Sequence, residues 1–117
     1  MSTNYYARKH RAPACAHCGH QEPQIEIHIG QRAGGWTFLL HVEEGDPLVP
    51  SDWPGWQALL SKPEWSIFNE YEAELSLSEL KDEVERRDWR DGVPCKRRPA
   101  PARYGGPGYD MESGEFM

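Results

Sequence analysis

Between residues 25 and 42 the rhythm of hydrophobic and polar positions changes twice. The stretch "IEIHI" (25–29) alternates strictly, with Ile25, Ile27 and Ile29 on one face and Glu26 and His28 on the other, the period-two signature of a half-buried strand. "WTFLLHV" (36–42) is a second run rich in β-forming residues, and the intervening "GQRAGG" holds the glycines that a chain reversal uses. The pattern predicts a β-hairpin. "EEGDPLVPSDWPG" is broken by Pro47, Pro50 and Pro54 and reads as a loop, with Ser51 or Asp52 placed to cap a short helix through "WPGWQALLS" that Lys62-Pro63 ends. "EWSIFNEY" (64–71) reads as a third strand. Ser76 and Glu79 then form a capping box, and Leu77, Leu80 and Val84 recur at i, i+3 and i+7 as the core-facing stripe of a longer helix.

Beyond Gly92 the periodicity stops. "GVPCKRRPAPARYGGPGYDMESGEFM" interleaves Pro94, Pro99, Pro101 and Pro107 with glycines, a composition expected of a flexible tail that orders on binding. The expected architecture is α+β. An antiparallel sheet built on the hairpin, an N-terminal zinc knuckle and two helices would occupy residues 1–91, with residues 92–117 as the tail.

Composition narrows the setting. No stretch of the 117 residues approaches the ~20 apolar positions of a membrane span, and "MSTNYYARKHR" lacks the apolar middle of a signal peptide, so the cytoplasm is expected and no membrane partner. The net charge of −6 is uneven: residues 1–20 carry Arg8, Lys9 and Arg11 with no acid, whereas residues 70–91 are dominated by acids. Overall acidity argues against direct nucleic-acid binding, which relies on a basic footprint.

In a reducing compartment the three cysteines, two of them spaced C-x-x-C, point to a metal or a redox pair before a structural disulfide. Cys15 and Cys18 can turn both thiolates toward one tetrahedral ion, and two further ligands must come from elsewhere. His17 lies inside the motif and His20 just after it, which is cramped. His28 and His41, on the two arms of the expected hairpin, are the preferred completion, because neighbouring strands lie only ~4.8 Å apart. Zinc held by Cys15, Cys18, His28 and His41 is the expectation, against the alternatives of polar strand histidines beside a reduced, unbound cysteine pair and of a redox dithiol.

The glycine turn offers a second chemistry. Gly30, Arg32, Gly34 and Gly35 could cradle a phosphate, although the stretch matches neither the P-loop nor the dinucleotide fingerprint. Trp36, Trp53, Trp56, Trp65 and Trp89 can make a large core from few residues. In the tail Arg97, Arg98, Arg103, Tyr104 and Tyr109 are candidate partner contacts, since arginine and tyrosine are enriched at interfaces. No serine or cysteine nucleophile is tied to a base and an orienting acid, so nothing argues for hydrolysis.

"TNYY" (3–6), C-x-x-C-G (15–19), "HIG" (28–30) and "GW" followed by a histidine (35–41) together resemble a group of small proteins encoded by tailed bacteriophages and prophages. The resemblance covers about residues 3–89, with Gln31, Arg32 and Ala33 where that group has a lysine and two serines. It implies no established activity. The leading expectation is a phage accessory protein that binds a host or phage protein, host defence included; the alternatives are a small nucleotide-binding protein or enzyme using His28, Arg32 and His41 around the glycine turn, and a virion or assembly component anchored by its tail.

Overall fold

The computed structural model describes residues 2–33, 36–85, 88–89, 93–94, 103–106 and 109–113. In chain order its elements are strands β1 (Ser2–Lys9), β2 (Glu26–Ala33) and β3 (Phe38–His41), helix α1 (Trp53–Leu60), strands β4 (Trp65–Asn69) and β5 (Glu74–Leu75), helix α2 (Leu77–Glu85), and the short strands β6 (Asp88–Trp89), β7 (Val93–Pro94), β8 (Arg103–Gly106) and β9 (Tyr109–Glu112). One mixed sheet runs β5-β4-β1-β2-β3-β9-β8, and β6 and β7 pair separately. The fold class is α+β. No helix among the described residues is long and apolar enough to cross a membrane.

The sheet is mixed rather than antiparallel throughout because β9 enters beside β3 in parallel, with Phe38 opposite Tyr109 and Leu40 opposite Met111. This part of the segment expected to be a flexible tail is packed. Tyr109 and Asp110 are buried, and Thr37 Oγ1 donates to Asp110 Oδ2 at 2.7 Å. A four-residue strand alternating Tyr109 and Met111 with Asp110 and Glu112 is too short to raise a periodic signal, and its partner lies about seventy positions earlier in the chain.

β2 and β3 pair antiparallel, Gly30 opposite Leu40 and Gln31 opposite Leu39. Gly34 and Gly35 of the expected turn lie outside the described residues. Ile27 and Ile29 are buried, whereas Ile25 precedes the strand and is 39% exposed. Gly30 is dictated by packing, because a Cβ there would overlap the Leu39 carbonyl oxygen and the Phe38 ring.

β1 had no strong signal, since only Tyr5 and Ala7 face the core, yet it lies between β2 and β4 and bonds to both. Its register with β2 slips at Tyr5/Tyr6, which leaves Tyr6 opposite His28. Arg8 fixes this region from the side: its guanidinium bonds Glu26 at 2.6 Å and Glu72 at 2.5 and 2.9 Å and lies over the Phe68 ring.

The helices cover one face of the sheet. Asp52 caps α1 by accepting from the Gly55 N–H at 2.8 Å, and Ser61 closes its other end with its N–H on the Gln57 and Leu59 carbonyls. Ser76 and Glu79 cap α2 reciprocally, at 2.9 and 3.1 Å. Trp53 and Gln57 on α1 both donate to Glu85 on α2, which ties the helices together. Trp53, Trp56, Leu60, Leu80 and Val84 complete a core with Tyr5, Ile29, Phe38, Leu40, Trp65 and Ile67. Burial of the Tyr5 phenol, with the nearby Glu83 adding to it, pushes its pKa up to about 12.

Candidate functional site

Residues 10–25, between β1 and β2, form a finger whose two sides are stapled in successive rungs. The Lys9 N–H donates to the Ile25 carbonyl at 3.0 Å, and the Gln24 side chain donates back to the Lys9 carbonyl at 2.6 Å. Farther out Arg11 donates to the Glu22 carbonyl at 3.1 Å, Gln21 to the Ala12 carbonyl at 2.9 Å, and the Cys15 N–H to the His20 carbonyl at 2.7 Å. The finger tip is a tight turn over residues 16–18, closed by the Gly19 N–H on the Cys15 carbonyl at 2.8 Å. Gly19 has φ +73°, a left-handed conformation that glycine adopts without steric cost.

Cys15 and Cys18 are both free and exposed at this turn. The backbone N–H of Cys18, then that of His17, and the Cys18 side chain bond the Cys15 sulfur and hold its thiol below the usual range. Two backbone donors aimed at one sulfur favour thiolate, the form that binds a metal. No helix follows the first cysteine, so the helix-terminus geometry of a dithiol redox motif is absent from the finger.

The two expected histidine ligands sit elsewhere. His28 and His41 occupy β2 and β3 with ring centroids 6.0 Å apart, so the sheet does bring them together, at 7% and 4% exposure. His28 Nε2 and both His41 nitrogens serve the fold. His41 Nδ1 donates to the His28 carbonyl at 2.8 Å while Nε2 lies 3.2 Å from Glu43 Oε1, and His28 Nε2 bonds Asn4 Oδ1 at 3.0 Å, with the ring beside Tyr6. A nitrogen that donates to a carbonyl has no lone pair for a metal. Among the described residues no three His, Cys, Asp or Glu side chains gather as a metal-holding group, so the four expected ligands form two separate pairs.

No family model, curated protein or solved structure matches this chain.

Of the candidate phosphate residues, Gly30 and Arg32 are engaged in the fold, and Gly34 and Gly35 lie outside the described residues. Arg32 turns inward, its side chain 10% exposed, donating to the Trp36 carbonyl at 2.9 Å and to the Glu83 carbonyl, with its Nε 3.5 Å from the Glu83 carboxylate. It bridges the end of β2 to α2. Of the candidate partner residues, Tyr109 is buried and packs on Trp53 with ring centroids 6.5 Å apart, which makes it a core residue rather than a surface contact. Arg103 and Tyr104 lie on β8, and Arg97 and Arg98 lie outside the described residues.

Sequence reasoning missed the staples of the finger, Arg11, Gln21 and Gln24, because side-chain bonds to backbone carbonyls leave no periodic trace. Only the glycine directly after C-x-x-C marked the tight turn. A second feature without a sequence signal is a surface cleft of about 450 Å³ lined by Arg8, Lys9, His10, Gln24, Ser66 and Phe68, in which His10 Nε2 meets Ser66 Oγ at 2.5 Å.

Proposed function

We propose that this chain is a small zinc-binding accessory protein of bacteriophage type that acts in the host cytoplasm by binding another protein, with the cysteine finger as its chemical site. One observation supports the reading: Cys15 and Cys18 are exposed on one tight turn whose backbone N–H groups bond the Cys15 sulfur and favour the thiolate form that zinc takes as a ligand. The polar side chains that could serve a reaction, Arg32, His28 and His41, are engaged in holding strands and helix together, which favours binding over catalysis. The phage assignment rests on the resemblance of "TNYY", C-x-x-C-G and "HIG".

The test is elemental analysis of protein purified without added metal. Zinc should copurify with the wild type and be lost from Cys18→Ser. A metal-free wild type whose melting does not shift when zinc is added would contradict the reading, because metal that binds only the folded state stabilises it.

A further inference from the structure

The finger supplies half of a metal site. Zinc in a structural site takes four ligands in a tetrahedron, and a C-x-x-C turn provides two. The rungs run outward along the finger, from Lys9 at the end of β1 to Cys15 at the tip, six positions along the chain. The buried imidazoles of His28 and His41 are bonded within the sheet. No third His, Cys, Asp or Glu among the described residues joins the two cysteines at the tip. The tip itself is exposed throughout, so the two sulfurs are open to another molecule.

A second copy of this chain completes the set with no new ligand type. Two identical turns meeting about a two-fold axis bring two sulfurs each, which saturates one ion and closes the assembly at a dimer. Charge suits the arrangement. A tetrathiolate zinc centre carries a net negative charge, and each finger carries Lys9 and Arg11 at its base with no acid before Glu22.

Resting on the reading that these cysteines hold zinc, we infer that the finger tips of two copies share one zinc ion through Cys15 and Cys18 of each, so that the protein is a zinc-bridged homodimer. Each thiol binds as thiolate and gives its proton to solvent; no redox step is involved.

The experiment is native mass spectrometry of the full chain loaded with zinc, alongside light scattering. The expected species has about twice the chain mass of 13.4 kDa and one zinc per two chains, and it returns to monomer in chelator. Cys15→Ser should lose metal and dimer together while its far-ultraviolet circular dichroism stays that of the wild type, and Cys95→Ser should keep both. One zinc per chain on a monomer would overturn the shared site yet leave zinc binding standing, with ligands found within the chain. A dimer that survives chelator, or loss of zinc from Cys95→Ser, would equally overturn it. Absence of zinc from every preparation would remove the shared site and the zinc reading together.

Discussion

Cys15 and Cys18 stand exposed at the tip of a finger, while His28 and His41 lie almost fully buried on adjacent strands. All four are metal-ligand residue types, and by sequence they look like one site. Their surroundings separate them. His28 Nε2 and both His41 nitrogens bond Asn4, Glu43 and the backbone of the neighbouring strand, so removing either imidazole would leave partners unsatisfied. The Cys15 sulfur instead receives backbone N–H groups that favour its thiolate, and both cysteines are exposed. What a side chain can do is decided by which of its atoms the fold has already used, and in this molecule the sheet has used its histidines and the finger has kept its thiols.

If the sheet is where stability resides, the largest loss should come from Trp56→Ala. Trp56 is fully buried and its indole donates to the His41 carbonyl at 2.7 Å, so the cavity and the orphaned carbonyl together should cost ~3–5 kcal/mol in denaturant unfolding. Deleting residues 92–117 should come next. It strips β9 from β3 and uncovers Leu39 and the Tyr109 site, and the lost burial of Tyr109 alone implies ~1.5–3 kcal/mol by thermal melting. An unchanged melting temperature would restore the flexible-tail expectation. Asp52→Ala, which removes the cap of α1, should cost ~1 kcal/mol.

On the finger side of the comparison, effects on stability should be small and effects on reactivity measurable. In metal-free protein Cys15 should be alkylated by iodoacetamide along a pH profile with its midpoint below that of an ordinary thiol near ~8.5, because the Cys18 and His17 N–H groups favour its thiolate. A midpoint at or above that of a free cysteine would mean that those bonds do not shape the site in solution.

The elements that sequence announced are those whose signal is local. The capping box Ser76 and Glu79 and the Asp52 cap each depend on residues within a few positions and form as read, and Ile27 and Ile29 are buried as the alternation implies, although the strand is buried on both faces, His28 included. β1 and β9 depend on distant partners. Tyr5 and Ala7 become core only because β2 and β4 flank them, and Tyr109 only because β3 lies alongside. The site was half legible for the same reason. C-x-x-C-G specifies its own turn, whereas the use of His41 depends on Glu43 and on the His28 carbonyl across the sheet.

The separation of the two pairs is tested most directly by loading wild type, Cys15→Ser and His41→Ala with zinc, dialysing each to equilibrium, and measuring bound metal beside the melting temperature. The account predicts that Cys15→Ser folds but loses its zinc, whereas His41→Ala melts lower by ~1–3 kcal/mol of stability and retains the wild-type zinc content. Loss of zinc from His41→Ala under conditions where it remains folded would contradict the account, because it would join the sheet histidine and the finger cysteines in one centre.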